Sequence, residues 1–255
     1  MPETLQLSWK VAMRHWAVYQ KNFFSNILPT ITDPIFYMVV FGFWLGNHVS
    51  QIQGMQYARY LAPGMVLTTC LYTAFFEASY GFYIRMEFQG VYHAMTTTPV
   101  GAREILIGEF IWVALKGGVM ATITAIILTI TGVSTPTYIL LIPLLGGLVG
   151  LSCGAIGLVS AGYVRNIDQF QTVYALVISP MFFVSGIFFP VEQLPKWIQA
   201  ICMISPLYHG VRIGQAILWA KDLGPTLLVH GSALLFITAV LSAWAWKKIY
   251  PKLYQ

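Results

Sequence analysis

Four ionisable residues, Asp33, Glu77, Glu109 and Lys116, interrupt stretches that are otherwise apolar. A lone charge in such surroundings costs about 2.5–3.5 kcal/mol on insertion scales, so these groups mark either a functional site or an ion pair. Two readings fit. One is a charge network that holds a gate; the other is helix-end side chains reaching toward headgroups. Lys116 lies about two turns beyond Glu109, and pairing with Glu109 or Glu77 suits it better than snorkelling does. Nothing in the sequence selects a proton relay. Catalytic signatures are missing: there is no GxxxxGK[ST] run to cradle nucleotide phosphates, no GxSxG and no HExxH. His15, His48, His93, His209 and His230 are scattered, and Cys70, Cys153 and Cys202 have neither CxxC spacing nor an even count. Metal, zinc-site and disulfide chemistry are therefore not expected.

The elements that position these groups are membrane-spanning helices. Of 255 residues, 57% are hydrophobic and 9% charged, against about a quarter charged in ordinary soluble domains. The mean hydropathy of +0.70 agrees. Six stretches approach the roughly 20 apolar residues that a helical crossing needs: about 27–46, 61–83, 105–130, 138–159, 170–189 and 226–246. The expected fold is an all-α membrane protein of six transmembrane helices in one permease domain over 1–255. Gly146, Gly147, Gly150 and Gly154 in the fourth span suit close helix approach. With both termini cytoplasmic, Lys10, Arg14, Lys21, Arg85, Arg103, Arg165, Lys247, Lys248 and Lys252 fall inside, and Arg59, Lys196, Arg212 and Lys221 outside. That asymmetry favours this orientation. The basic residues, net +5, are dispersed along span flanks, so nucleic acid is not the expected partner. The N-terminus has no short apolar core of a cleavable signal and is expected to be retained.

Two segments do not span. Over residues 1–25, Leu5, Trp9, Ala12, Trp16, Tyr19 and Phe23 fall on one side of a helical wheel and Lys10, Arg14 and Lys21 on the other. Trp9 and Trp16 suit the headgroup level and the three cations an anionic leaflet, so an interfacial amphipathic helix in contact with membrane lipids is expected. A soluble amphipathic helix packed on a protein partner is the alternative. Residues 189–220 are too apolar for a solvated loop and are cut by Pro190, Pro195 and Pro206. Leu194, Trp197, Ile198 and Ile201 recur at helical spacing. A re-entrant external hairpin follows, with Trp197, Ile198 and Ile201 dipping back to close an exit and Tyr208 beside it; a helix lying on the outer leaflet is the alternative.

The cytoplasmic connection at 84–103 holds a helix-compatible stretch from Glu87 to Met95, a Thr-Pro stop, and a new helix start near Glu104. Such a helix suits a groove on a partner, with Tyr92 and Met95 one turn apart in the groove and Glu87 and His93 at its rim. An ordinary loop has the same composition.

The order of these features resembles the type-2 ABC exporter permeases, and within them the nodulation-factor (lipooligosaccharide) exporter group. The matching stretches are FGFWLG at 41–46, YLAPGM at 60–65, FEASYG at 76–81, TTPV at 97–100, GEFIW at 108–112, SGIFFPVEQLP at 185–195 and SPLYHG at 205–210. In that group the run before TTPV is often Arg-Thr-Trp-Glu, whereas Gly90, Val91, Tyr92 and His93 stand here. The resemblance implies a bacterial inner-membrane permease that pairs with a second copy of itself and with two copies of a cytoplasmic P-loop ATPase. It implies no cofactor in this chain, with ATP and Mg on the ATPase and residues 87–95 as the coupling helix. Phe36, Tyr37, Tyr72, Phe75, Phe76 and Tyr80 either line a path for an amphipathic, lipid-linked or glycosylated substrate or pack between helices. A proton-coupled transporter and a non-transporting membrane scaffold remain the other classes.

Overall fold

The computed structural model describes the backbone of residues 2–48, 51–133, 139–219 and 222–254. The side chains of Pro2, Asn26, Pro29, Thr30, Ile31, Asp33, Pro34, Asn47 and Ile139 are outside the described set. Among the described residues the chain is helical apart from turns and one bridge between Ile52 and Met55. The helices are α1 (Pro2–Lys21), α2 (23–47), α3 (Tyr57–Phe88), α4 (Val91–Thr96), α5 (Ala102–Ile130), α6 (Ile142–Tyr163), α7 (169–183), α8 (Lys196–Cys202), α9 (Pro206–Trp219) and α10 (Leu223–Tyr254).

Four of these, α3, α5, α6 and α10, are long and apolar enough to cross a membrane. The expected first span coincides with α2, several of whose side chains, Asp33 included, lie outside the described residues. The expected fifth span is only partly helical. α7 ends at Phe183, after 15 residues or about 22 Å, and a turn through Gly186 at φ +78° follows. The six-span count is therefore not reproduced by helix length and hydropathy alone.

α6 sits at the centre, against α3, α5, α9 and α10, because its small residues admit neighbouring backbones. A Cβ on Gly117 of α5 would lie 2.5 Å from the Gly146 carbonyl oxygen, and one on Gly150 would lie 2.9 Å from the Gly117 Cα. On the α3 side a Cβ at Gly157 would meet the Phe75 carbonyl at 2.8 Å. With no hydrophobic drive between helices in lipid, such close van der Waals packing is the main source of association.

α1 packs along α5, and the contacts climb together. Gly108 leaves room for Ser8 and Val11, His15 stacks on Trp112 at 5.7 Å, and Tyr19 meets Trp112 at 6.0 Å. This changes the reading of the amphipathic wheel. Ala12 and Tyr19 are buried with Trp112 and Met120, while Leu5 and Trp9 stay exposed and Trp16 is partly buried. Packing on the chain's own α5 therefore takes up Ala12, Tyr19 and part of Trp16, and leaves Leu5, Trp9 and Phe23 of the apolar stripe on the surface. Lys10 and Lys21 are exposed and Arg14 partly so.

The α5–α6 contact yields a direct test. Gly150→Val should overpack the seam and cost about 1–3 kcal/mol. The expected outcome is a lowered unfolding temperature in detergent; an unchanged midpoint would show that the seam has slack.

Candidate functional site

At one end of the bundle, the last turns of α3, the first turns of α5, α1 and α4 converge on four charged groups. Arg85 bridges two carboxylates: its Nη1 lies 2.6 Å from Glu77 Oε1 and its Nη2 3.0 Å from Glu109 Oε2. Lys116 Nζ donates to Glu77 Oε2 at 2.6 Å. The Tyr92 hydroxyl donates to Glu109 Oε1 at 2.6 Å and accepts from Arg85 Nε at 2.9 Å. His15 Nε2 is 2.7 Å from Glu109 Oε1, ion-pair distance without hydrogen-bond alignment. Glu109 is fully buried, and Arg85, Glu77 and Lys116 are only 11–16% exposed.

Helix geometry explains the convergence. On α5, Glu109, Trp112 and Lys116 are spaced i, i+3, i+7 and share a face; on α1, His15 and Tyr19 are i, i+4. On α3, Glu77 and Arg85 are eight apart, which in a regular α-helix sets them about 80° apart around the axis. Here the segments Glu77–Gly81 and Ile84–Phe88 are wide i→i+5 turns, which lower the rotation per residue and bring the two to one side. Such widened turns recur at functional sites. Gly81 between them keeps the lane open: a Cβ there would stand 3.1 Å from Arg85 Nη1 and 3.3 Å from Glu77 Oε1.

Sequence spacing does not single out Arg85, which reads only as one of the inside cations, nor His15, which reads as one of five scattered histidines. Neither widened turn has a visible mark in the sequence. Lys116 pairs with Glu77 rather than Glu109, and adds cation–π contacts to Tyr19 at 5.4 Å and Trp112 at 5.9 Å.

The connection to α5 differs from expectation in two respects. Glu87 and Phe88 still belong to α3; Gly90, at φ +61°, breaks the chain, and only Val91–Thr96 forms the short helix. Tyr92 does not face outward for a partner: it is 2% exposed and bonded into the network. Burial, and after it the charge of Glu109, hold its hydroxyl well above the usual tyrosine range, so it remains a donor. Met95 is half-buried, and the exposed residues of 87–95 are Glu87, Phe88, Gln89, Gly90, His93 and Ala94. Thr96, Thr97 and Thr98 close α4 by donating to the carbonyls of His93, Ala94 and Met95, and Glu104 accepts from the Gly101 N–H at 3.1 Å to start α5.

The opposite end is built around the proline-cut segment. Tyr60 and Tyr57 of α3 donate to the carbonyls of Gly186 and Phe188 at 3.1 and 3.3 Å. Pro190 is buried and Pro195 precedes α8. Of the three residues expected to dip back, Ile198 packs into the protein on Val191, Cys202 and Tyr208, and Trp197 and Ile201 stand on its surface, 67% and 52% exposed. The piece that inserts is α9, beginning at buried Pro206 and Tyr208, wedged between α3 and α6 with Gly210 under Val149. Fourteen residues with Gly210 and Gly214 facing Val149, Leu67 and Pro63 fit a tight slot that the bulkier α8 cannot enter. Arg212 pairs with Glu192 across this hairpin.

An aromatic seam joins α2, α3 and α7: Tyr37 to Phe182 (6.4 Å), Phe182 to Tyr72 (5.7 Å), Phe76 to Tyr174 (5.7 Å) and Tyr80 to Phe170 (4.8 Å). Phe75 is buried; Phe36 and Phe76 are 64% and 41% exposed.

A bundle of apolar spanning helices with a buried ion network at one end and an inserted short helix at the other is the build of a multi-pass membrane transporter. Residues 6–219 match the ABC-2 type transporter family, and the chain belongs to that family. It is similar to nodulation protein J of Rhizobium leguminosarum bv. viciae, 30% identical over 232 residues, 91% of this chain and 90% of that protein. Nodulation protein J of Rhizobium meliloti (strain 1021) is 29% identical over 210 residues, 82% and 80% of the two chains. The inner membrane transport permease YadH of Escherichia coli (strain K12) is 21% identical over 252 residues, 94% and 96%.

The network predicts an order of mutant effects. Arg85→Met removes the group that, among the described residues, joins both carboxylates, and should cost about 3–5 kcal/mol, read as loss of folded, monodisperse protein. Lys116→Met should cost less, since Glu77 keeps Arg85, and adding Glu77→Gln to it should restore part of the unfolding midpoint. A Lys116→Met midpoint equal to wild type would show the pair to be energetically idle. For the hairpin, single cysteines in a cysteine-free background should react with a membrane-impermeant thiol reagent quickly at 197, 201, 203 and 204. At 208, 210 and 211 they should react more than tenfold more slowly; uniform rates would mean α9 is not wedged.

Proposed function

We propose that this chain is the permease half of an ATP-driven bacterial exporter, acting as a homodimer with two copies of a separate cytoplasmic ATPase in the inner membrane. Family membership supports the permease role, and the observation that makes it mechanical is Tyr92. A six-residue helix that stands at the bundle surface is tied through one buried hydroxyl to Glu109 and Arg85. A push on α4 is thereby delivered to α3 and α5 together, and through Lys116 and His15 to the α1 contact. In this reading the network end faces the cytoplasm, with both termini, and Arg103, Arg165, Lys247, Lys248 and Lys252 lie on that side. The ATPase meets the exposed Glu87, Phe88, His93 and Ala94 instead of Tyr92.

The substrate is an amphipathic, lipid-linked or glycosylated molecule, lipooligosaccharide, polysaccharide or drug-like. The part-exposed Tyr72, Phe76, Tyr80 and Tyr174 give a flank of rings along α3 on which sugars and acyl chains stack. The hairpin of Pro190, Pro195 and α9 would close the external end. In a proton-coupled transporter a carboxylate must be free to exchange; here Arg85 grips both Glu77 and Glu109, which favours the ATP-driven reading.

Co-expression with a candidate P-loop ATPase, sought first in the neighbouring reading frame, gives the test. Phe88→Asp with His93→Asp should reduce co-purified ATPase at least fivefold. Tyr92→Phe should keep the ATPase bound yet lower substrate-stimulated hydrolysis, because the push is no longer relayed to Glu109. Wild-type binding and turnover in both variants would place the coupling surface elsewhere.

A further inference from the structure

Beside the network, α1, α3 and α5 enclose a cavity of about 260 Å³. That is room for several waters or one polyatomic anion. Its walls include Arg14, Val18, Tyr19, Glu77, Trp112 and Lys116. Two buried donors on this wall have no partner among the described residues: the Tyr19 hydroxyl, in a side chain 5% exposed, and Trp112 Nε1, in one 2% exposed. Arg14 makes no ion pair or side-chain hydrogen bond among the described residues. The one carboxylate on the wall, Glu77, already accepts from Arg85 on Oε1 and from Lys116 on Oε2, both at 2.6 Å.

What the cavity has left over is thus a surplus of donors and of positive charge. Arginine and tryptophan only donate, and as the side chains stand neither Arg14, Trp112 Nε1 nor the Tyr19 hydroxyl meets an acceptor among the described residues. A buried donor without an acceptor costs about 1–3 kcal/mol, and the group that removes this cost must bring oxygen acceptors and negative charge. An ionised phosphate does both, and its bonds to arginine and lysine are charge-assisted.

The surroundings say how that phosphate is attached. Val18, one turn from Arg14 and on the cavity wall, is 48% exposed. Phe23 packs on the Tyr19 ring at 6.3 Å and is 41% exposed, and Phe24 beside it is 84% exposed. A polar socket that opens onto bare apolar side chains fits an amphiphile, with the phosphate inside and the hydrocarbon along α1. We propose that this cavity is a binding site for the phosphate headgroup of an anionic lipid, held by Arg14, Tyr19, Trp112 and Lys116. The proposal depends on neither the exporter reading nor the ATPase.

Native mass spectrometry of the detergent-purified full chain tests it, with dioleoylphosphatidylglycerol, dioleoylglycerol and inorganic phosphate as separate probes. One phosphatidylglycerol per chain should be retained and dioleoylglycerol should not. Tyr19→Phe with Trp112→Phe keeps both aromatic surfaces but removes both donors, and should lower the bound fraction at least fivefold. Arg14→Gln alters only a partly exposed side chain outside the ion network, so it tests the site even if the double variant folds poorly, and should give a similar loss. Equal retention of the two lipids, or wild-type retention in Arg14→Gln, would overturn the proposal. Retention of inorganic phosphate without phosphatidylglycerol would assign the socket to a soluble phosphate and overturn the lipid assignment.

Discussion

The arrangement depends on one guanidinium. Arg85 is placed by two widened turns of α3 so that one planar fork reaches Glu77 on its own helix and Glu109 on α5. A lysine there would supply a point charge and could not span both carboxylates while also donating to Tyr92. Without Arg85, Glu109 would be a fully buried carboxylate with only His15 and Tyr92 beside it. Two carboxylates against Arg85 and Lys116 make the set electrically balanced, which is the condition under which charge tolerates low dielectric.

From that constraint the neighbourhood follows. Gly81 has no side chain because one would stand in the path of the guanidinium. Trp112 lies between Glu109 and Lys116 on the same face of α5, so α1 packs its His15 and Tyr19 against the same face and is drawn onto the bundle. Tyr92 extends the network to α4, which is too short to be stable alone and is held by that hydroxyl, by the stacking of its ring on Phe82 at 4.9 Å and by threonine-capped carbonyls.

The two ends of the molecule use different physics. At the network end, groups are fixed by charge and direction. Some 20 Å away along α3, the hairpin end is fixed by shape: glycines of α6 and α9, with Gly64 against Ile187, let backbone enter where a Cβ would clash. A displacement at the charged end can therefore travel along the rigid length of α3, which contributes Tyr57 and Tyr60 to the far end and Glu77 and Arg85 to the near one.

Much of this was legible in the sequence. Hydropathy alone located α3, α5, α6 and α10, since a spanning helix is apolar along its whole length whether it faces lipid or its neighbours. The glycines of α6 announced close packing, and Glu77, Glu109 and Lys116 stood out as costly where they lie. What tertiary structure decided were the partners. Sequence spacing on a regular helix separates Glu77 from Arg85, and only the widened turns unite them. A tyrosine on a short amphipathic helix reads as a docking residue until the packing turns it inward. The apolar stripe of α1 fits headgroups and a neighbouring helix equally well, because both offer the same apolar contact and differ only in what stands nearby. Which of two proline-cut pieces inserts into the bundle depends on the width of the slot between α3 and α6, a property of three helices together that no single segment encodes.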